Sequence, residues 1–300
     1  MRVLTVNAGS TSLKLSVVRD GIAHEVAGYE DADAVGHRIV HGGGRFVEPV
    51  ELTAEVERGI REASTLAPLH NGPALRALGE ARTALPDLRH VAVFDTAFHA
   101  TIPTEAATYA VPARWRDEWG IRRFGFHGLS VQWVAEQLPV SRLVVCHLGG
   151  GCSVTAVRDG RSVDTSMGFS PLEGVPMQTR SGSVDPGALL WLLDGRLTRE
   201  ELERGLEHES GLGALGGLDD PLGFAVFTYR VATTAAAMAA ACGGLDVLAF
   251  TGGIGENRED VRAAIAGRLA FLGDFRVEVV PAREELVIAR ETERVLTENV

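Results

Sequence analysis

Hydrophobic residues along this chain follow two spacings, one typical of strands and the other typical of helices. Short runs rich in Val, Leu and Ile, bounded by Gly, Asp or Pro, predict buried strands. Longer stretches with apolar residues three or four positions apart predict amphipathic helices. The predicted strands are 2–7, 13–19, 22–27, 90–95, 142–147, 152–158, 162–165, 246–251 and 276–280.

Start signals support two of the predicted helices. Asp185 precedes a proline in the first helical turn, and Thr198 with Glu201 forms a capping box. The chain begins with strands in a meander, continues with helices alternating with strands, and starts the same order again near Arg142. This order predicts an α/β fold with an internal duplication. The predicted helices are 53–65, 72–84, 130–138, 185–193, 198–207, 222–241, 257–269 and 284–297.

One short phrase occurs at the corresponding place of both halves. The chain reads VVRDG at 17–21 and AVRDG at 156–160, each time after a stretch rich in Gly and Ser. Asp-Gly between two apolar runs predicts a hairpin turn. Small residues at the preceding bend let backbone N–H groups approach an anion, so two such loops would suit the phosphates of a nucleotide. A pair of ordinary glycine-rich hairpins is an equally good explanation of the repeat alone.

Composition removes several classes of protein. The net charge of −11 argues against a general binder of nucleic acids or anionic membranes, although it permits a local cationic pocket. Three cysteines without a CxxC pair argue against a disulfide framework or a structural zinc site. The chain starts without a charged leader, and polar residues and glycines interrupt its longest apolar run, 231–250. We therefore expect a cytoplasmic protein with no nucleic-acid or membrane partner.

Charged and polar side chains collect where predicted strands end or loops begin. They are Arg38, His70, Asp95, His127, Arg180 and Glu284. Each alone has an ordinary structural explanation, such as a surface ion pair or a helix terminus. Together, two arginines, a histidine, two acids and several glycine loops suit phosphoryl transfer, which depends on positioned charge more than on covalent help.

Nine segments in order resemble the acetate and propionate kinase family. They are VNAGSTSLK, HRIVHGGG, LAPLHN, VFDTAFH, RRFGFHG, CHLGGG, DTSMGFSPLEGVPMQTRSG, GGLDVLAFTGGIGEN and EELVIARET. The resemblance implies a duplicated actin-like (ribonuclease H-like) α/β fold, with two domains around a nucleotide cleft. The expected N-terminal domain is 1–96 plus 286–300, on the carboxylate and metal side. The expected C-terminal domain is 97–285, which binds the nucleotide and carries the dimer contacts.

The resemblance also implies roles for individual residues. The expected catalytic residues are Arg38, Asp95, His127 and Arg180, and the expected ligands of Mg²⁺ or Mn²⁺ are Asn7 and Glu284. The substrate-binding residues are Arg38, Val40, Leu69, His70, Phe126 and Pro171. The nucleotide-binding residues are Ser10, Ser12, Lys14, His147, Leu148, Gly149, Gly150, Gly151, Asp219, Gly253, Ile254, Gly255, Glu256 and Asn257.

The implied reaction is direct in-line transfer of a phosphoryl group from ATP to a short carboxylate, acetate or propionate, by a homodimeric enzyme. The chain departs from the family mainly on the nucleotide side. Arg38 follows Lys14 by only 24 positions, and the text GGLDDPLGF lacks an arginine that the family places along the adenosine. Gly150 and Gln178 also replace the family's usual asparagine and glycine. Two alternatives therefore stay open, a kinase for another small carboxylate and a non-catalytic nucleotide-binding sensor.

Overall fold

The chain divides into two compact units. The computed structural model describes residues 1–8, 13–29, 32–64 and 68–298, and for 68–70 it describes the backbone only. The first unit comprises 1–100, 126–133 and 283–300, and the second comprises 101–125 and 134–282. These divisions lie close to the domain boundaries expected after residue 96 and before residue 286. The segment 126–133, expected in the second domain, groups with the first unit.

The first unit is built on a six-stranded sheet. Its strands are β1 (Val3–Ala8), β2 (Leu13–Arg19), β3 (Ile22–Val26), β4 (Ala34–Ile39), β5 (Val50–Glu51) and β6 (Arg89–Phe94). Their order is β3-β2-β1-β4-β6-β5, with β1, β4 and β6 parallel to one another. The hydrophobic pattern does not predict β4, because Gly36, His37 and Arg38 interrupt its apolar residues. Arg38 therefore lies near the end of a strand that the hydrophobic pattern does not predict.

The second unit repeats this arrangement. Its strands are β7 (Arg142–Leu148), β8 (Cys152–Arg158), β9 (Arg161–Thr165), β10 (Val247–Thr251) and β11 (Arg276–Val279), in the order β11-β10-β7-β8-β9. An antiparallel meander, β7-β8-β9, is extended on its other side by two strands parallel to β7. The meander β1-β2-β3 with parallel β4 and β6 has the same order, which confirms the predicted duplication.

The repeated phrase forms the same turn in both units. In the β2–β3 hairpin Asp20 and Gly21 have φ of 51° and 74°, and in the β8–β9 hairpin Asp159 and Gly160 have φ of 51° and 77°. Positive φ at both central residues is the type I′ turn, whose twist matches that of the flanking strands. The Asp-Gly hairpins are therefore confirmed.

Twelve helices accompany the strands in the described part of the chain. Both predicted start signals are confirmed, since Asp185 caps its helix at the Gly187 amide and Thr198 pairs reciprocally with Glu201. Helices of four to six residues are too short to show a hydrophobic period, and the sequence does not predict them. The helices are α1 (Ala54–Ala63), α2 (Pro68–Ala84), α3 (Thr104–Ala107), α4 (Ala113–Asp117), α5 (Gly128–Gln137), α6 (Pro186–Leu193), α7 (Arg199–His208), α8 (Gly211–Ala214), α9 (Pro221–Cys242), α10 (Gly252–Asn257), α11 (Glu259–Arg268) and α12 (Glu284–Glu298).

Helix α12 packs closely on the first sheet. Its Val287 and Ile288 join Val91 and Val93 of β6 in one buried cluster. The absence of a side chain at Gly36 permits this approach, because a Cβ there would lie 2.7 Å from Ile288 Cγ2. Since α12 begins with Glu284, this packing also determines where the Glu284 carboxylate lies.

Helix α9 is long and apolar. Among the described residues it is the one helix whose length and composition would suit a membrane span, a criterion that core helices of soluble proteins also meet. It packs on β7 and β8, and Phe227, Val231 and Ala235 are buried. This packing agrees with the expected buried helix.

Candidate active site

Four polar side chains of the first unit meet near the carboxyl ends of β1, β4 and β6. Arg38 donates from Nε to Asp95 Oδ1 at 2.9 Å and from Nη2 to Asp95 Oδ2 at 2.6 Å. Its Nη1 donates to Asn7 Oδ1 at 3.0 Å and lies 3.4 Å from Glu284 Oε2. Asn7 Nδ2 donates to the same Glu284 oxygen at 2.8 Å. We call Asn7, Arg38, Asp95 and Glu284 the Arg38 cluster.

Topology explains why these side chains converge. Parallel strands end at the same edge of a sheet, and such edges carry the ligand sites of α/β proteins. Asn7 is near the end of β1, Arg38 is near the end of β4, and Asp95 directly follows β6. Glu284 reaches the same edge from the first residue of α12.

The Arg38 cluster is largely removed from solvent. The side chains of Arg38, Asp95 and Glu284 are 12%, 1% and 13% exposed. Burial raises the pKa of the Asp95 carboxyl group, and the two hydrogen bonds from Arg38 oppose that shift. Burial also works against the charge of Arg38, but Asp95 and Glu284 outweigh it and raise the pKa of the guanidinium. One guanidinium faces two carboxyl groups, and this excess of acid suits a bound cation.

The donor atoms of the cluster fit a hard divalent cation. The Asn7 amide oxygen and the carboxylates of Glu284 and Asp95 are the oxygen ligands that Mg²⁺ and Mn²⁺ prefer. Mg²⁺ keeps several waters and commonly uses one or two carboxylates together with substrate phosphates. Within the described residues, no group of three His, Cys, Asp or Glu side chains suited to a metal occurs. The expected ligands Asn7 and Glu284 therefore fit a partly hydrated ion.

A tight turn holds His127 beside Asp95. The backbone N–H of His127 donates to the Asp95 carboxyl group, and Gly128 N donates to the Asp95 carbonyl oxygen at 3.0 Å. A Cβ on Gly128 would overlap that carbonyl oxygen, so the contact requires glycine. His127 has a φ of 58°, which is uncommon outside glycine and often marks functional positions. The catalytic role of His127 stays a prediction.

The expected substrate-binding residues other than Arg38 are described only in part. Val40 and Phe126 are 5% and 1% exposed in the first unit, and Pro171 is buried in the second. The side chains of Leu69 and His70 lie outside the described residues, as do Ser10 and Ser12.

Lys14 is exposed on β2 directly opposite Asn7, and cross-strand partners share one face of a sheet. Lys14 is thus a neighbour of the Arg38 cluster.

Two glycine-rich segments of the second unit pack backbone against backbone. They are the loop 149–151, between β7 and β8, and the first turn of α10, 252–255, which directly follows β10. A Cβ on Gly252, whose φ is 78°, would lie 2.8 Å from the carbonyl oxygen of Leu148. Gly150, Gly253 and Asn257 are exposed. Of the predicted nucleotide-binding glycines, Gly149 and Gly253 therefore lie close together at the ends of two parallel strands, whereas Gly255 is buried.

Other predicted nucleotide contacts also have structural partners. Leu148 is fully buried, so only its backbone is presented at the loop. The Glu256 carboxylate accepts from the amides of Gly252 and Ala282, both at 3.0 Å. Asp219 is exposed and lies 3.1 Å from Arg258, whereas Asp220 caps α9 at Leu222 N. His147 is partly buried at the end of β7.

Arg180 lies in the long loop that follows β9. Its Nη1 donates to the carbonyl oxygen of Pro171 at 2.5 Å, and burial lowers the pKa of its guanidinium. Sequence reasoning missed the side chains that hold this loop, Tyr109, Arg123 and Glu173. Arg123 and Glu173 stand in the segments RRFGFHG and DTSMGFSPLEGVPMQTRSG, but their sequence positions alone do not indicate that they meet.

The comparisons agree on one family. The model of the acetokinase family matches residues 20–297. An acetate kinase from Deinococcus deserti is 44% identical, covering 89% of this chain and 79% of its own. An acetate kinase from Halothermothrix orenii is 40% identical with the same coverage.

Solved structures give the same result. A propionate kinase from Francisella tularensis superposes with a TM-score of 0.91 at 31% identity, over 98% of this chain and 99% of that one. An acetate kinase from Porphyromonas gingivalis superposes with a TM-score of 0.86 at 30% identity, over 98% and 99%. These similarities confirm the expected actin-like fold.

Proposed function

Since the chain belongs to the acetokinase family and shares its ATP-dependent acetate or propionate kinase activity, we propose that acetate is its preferred acid and that the carboxylate reacts at the Arg38 cluster. The observation that carries this proposal is a buried guanidinium held in plane by Asp95 at an edge rich in oxygen ligands. The names of the relatives favour acetate over propionate.

The reaction brings two anions together, so the protein must neutralise charge before a bond can form. Arg38 would bind the substrate carboxylate, and its two hydrogen bonds to Asp95 fix the plane of the guanidinium. A carboxylate oxygen then attacks the terminal phosphorus in line, and ADP leaves without a covalent enzyme intermediate. Arg180 and His127 would stabilise the charge that spreads over the transferring phosphoryl group.

Asn7 and Glu284 would hold Mg²⁺ or Mn²⁺, and the ion, when bound, neutralises charge on the phosphates of ATP. The contact between Asn7 Nδ2 and Glu284 orients both side chains before any ion arrives. Asp95, already paired with Arg38, would act as the acid that orients the substrate carboxylate.

The second unit would supply the nucleotide contacts. Its exposed Gly150, Gly253 and Asn257 offer backbone and amide groups without a side-chain barrier. We further propose a homodimer, because α6 has no buried residue and Leu190 and Trp191 are 70% and 58% exposed. Cytoplasmic location, with no nucleic-acid or membrane partner, belongs to the same proposal.

A hydroxamate assay tests the activity. Purified protein, Mg-ATP and hydroxylamine are incubated with acetate, propionate and longer carboxylates, and the acyl hydroxamate is measured. We expect most product from acetate, and a loss of about 100-fold or more in Asp95→Asn. The exposed acid Asp87 provides the control, since Asp87→Asn should keep full activity.

Each other outcome contradicts a stated part of the proposal. Product from a longer acid alone would replace acetate as the substrate. ATP binding without product from any acid would favour the nucleotide sensor over the kinase. Full activity in Asp95→Asn would remove the Arg38 cluster as the reacting site.

A further inference from the structure

Arg123 anchors the beginning of the loop that carries Arg180 through hydrogen bonds to its backbone. The Nη1 of Arg123 donates to the carbonyl oxygens of three consecutive residues, 165–167, at 3.0, 3.2 and 3.1 Å. Its Nη2 donates to Glu173 Oε1 at 3.0 Å, and its Nε lies 3.9 Å from Asp164. Only 16% of the Arg123 side chain is exposed. One arginine therefore joins two points of the loop that are several residues apart.

Tyr109 adds further hydrogen bonds to the same loop. Its hydroxyl group donates to Glu173 Oε2 and accepts from Phe169 N at 3.1 Å, so each oxygen of the Glu173 carboxylate has its own donor. The Arg123 guanidinium lies 5.4 Å from the centre of the Tyr109 ring. Burial raises the pKa of the Tyr109 hydroxyl group, which therefore keeps its proton and remains a donor to Glu173. We call Tyr109, Arg123 and Glu173 the loop clamp.

Close packing at Gly168 shows how firmly the clamp holds the loop. A Cβ there would overlap the Glu173 carboxylate and the Tyr109 hydroxyl group. On the other side, Phe124 N and Gly125 N both donate to the Gly168 carbonyl oxygen, at 3.0 and 3.3 Å. The backbone between Thr165 and Phe169 is thus fixed by hydrogen bonds from both directions.

The clamp reaches Arg180 through one carbonyl group. Pro171 lies between the two anchored positions Phe169 and Glu173, and its carbonyl oxygen accepts from Arg180 Nη1 at 2.5 Å. Met177 N also donates to the Arg180 carbonyl oxygen at 3.0 Å, which fixes the backbone at the far end of the loop. The Arg180 side chain is partly buried, and its hydrogen bond to the Pro171 carbonyl oxygen helps to orient its guanidinium.

From this geometry we propose that Arg123 is a positioning residue: through Glu173 and Tyr109 it fixes the Pro171 carbonyl group, and thereby orients the Arg180 guanidinium for the transferring phosphoryl group. The inference rests on the role given to Arg180 in the proposed function. A charged donor oriented before the reaction stabilises developing charge without reorganising, so its misplacement lowers kcat more than it raises KM. Lysine cannot replace Arg123. A single ammonium group cannot donate from one fixed plane both to the carbonyl oxygens of residues 165–167 and to the Glu173 carboxylate.

A double-mutant cycle in kcat tests the coupling. The variants are Arg123→Gln, Arg180→Ala and the double variant. The control is Arg122→Gln, which removes an exposed neighbouring arginine whose Nε donates to the Arg123 carbonyl oxygen at 3.3 Å and whose guanidinium lies 5.8 Å from the centre of the Phe124 ring. We expect Arg123→Gln to lower kcat about 30-fold, with KM for acetate and ATP within about threefold of wild type, and Arg122→Gln to change neither. In the Arg180→Ala background the same change should lower kcat by less than about threefold.

If Arg123→Gln lowers kcat by its full factor in both backgrounds, Arg123 does not act through Arg180 and the inference is overturned. The same holds if KM rises and kcat does not change. Arg123→Lys should not restore kcat, and full activity in that variant would also count against a fixed guanidinium plane.

Hydrogen exchange measured by mass spectrometry gives a readout that needs no activity. Peptides covering 166–182 should exchange faster in Arg123→Gln than in wild type or Arg122→Gln, while β7 and β10 keep their protection. Unchanged exchange in this loop overturns the clamp even if the enzyme is active. An inactive wild type would contradict the proposed function and leave this measurement intact. Should Arg123→Gln lose protection throughout the second unit, Tyr109→Phe, which removes a single hydroxyl group, repeats the comparison.

Discussion

Acidification should destabilise the first unit through a buried pair of histidines. His37 Nε2 and His90 Nδ1 are 2.9 Å apart, and His90 Nε2 lies 3.1 Å from the carbonyl oxygen of Leu85. Because a carbonyl oxygen only accepts, His90 carries its proton on Nε2, and its Nδ1 accepts from His37 Nε2–H. His37 Nδ1 then has no hydrogen-bond partner within the described residues. A second proton on His37 would place a charge on that buried atom.

Burial and the charged groups around His37 and His90 determine the direction in which the pKa of each histidine shifts. Burial lowers the pKa of His37 to about 3, and His90 and Arg82 act in the same direction. Burial also lowers the pKa of His90; Arg82 adds to this shift, while the Leu85 carbonyl and Glu57 oppose it. Arg82 and Glu57 are themselves paired at 3.4 Å. Both histidines are therefore neutral in the folded state at neutral pH.

The magnitude follows from proton linkage. In the unfolded chain a histidine titrates near pH 6.5, so from about pH 6.5 down to about pH 3 the unfolded state binds one more proton at His37 than the folded state. His37 contributes fully to the free energy of unfolding above the pKa of histidine in the unfolded chain, and this contribution is lost as the pH falls below that pKa. At pH 5 the loss is about 2 kcal/mol relative to pH 7.5, and His90 adds to it in the same direction.

Urea unfolding of wild type and His37→Gln, near pH 7.5 and near pH 5, measures this loss. Glutamine places an amide donor where His37 Nε2 stands and does not titrate, so His37→Gln should lose about 2 kcal/mol less than wild type on acidification. Comparing the two cancels other groups, such as buried His99, whose pKa burial lowers to about 4. Exposed His24 gives the control, and His24→Gln should behave like wild type. Equal losses in wild type and His37→Gln would refute the reasoning.

Further substitutions test the packing and the metal ligands. Gly36→Ala should lower the free energy of unfolding by about 1–3 kcal/mol, because its methyl group would collide with α12. Gly79→Ala, in open space on α2, should raise the free energy of unfolding by about 0.5–1 kcal/mol. Chemical unfolding measures both changes. Glu284→Gln should raise the Mg²⁺ concentration needed for half-maximal activity about tenfold or more, whereas Glu285→Gln should not. Equal responses of these two variants would exclude Glu284 as a ligand.

The sequence predicts the fold where local signals are strong. The Asp20-Gly21 turn follows from two residues that tolerate positive φ, and the strands around it follow from short runs of apolar residues. Strand β4 escapes the pattern because it carries His37 and Arg38, whose burial depends on partners in other elements. Polar residues in a core strand are satisfied by tertiary contacts, and a hydrophobic pattern contains no information about those contacts.

The candidate site shows the same limit at longer range. Asn7 and Glu284 are separated by 277 positions and Arg38 and Asp95 by 57, so only the family resemblance could join them before the structure was known. The resemblance, in turn, did not indicate the loop clamp. Arg123 and Glu173 are 50 positions apart, and each has an ordinary explanation in its own segment.

The two sheets share one strand order but carry different chemistry at corresponding edges. At the ends of β4 and β6 the first unit places Arg38 and Asp95, whereas the second unit follows the corresponding strand β10 with the glycines of 252–255. A charged edge suits a small carboxylate and a metal ion, and an edge of bare backbone suits phosphates. Duplication thus gave one strand order twice, and the residues at the strand ends distinguish the proposed acid-binding half from the proposed nucleotide-binding half. Exchanging the glycine-rich turn 252–255 after β10 should therefore change the KM for ATP and leave the KM for acetate unchanged.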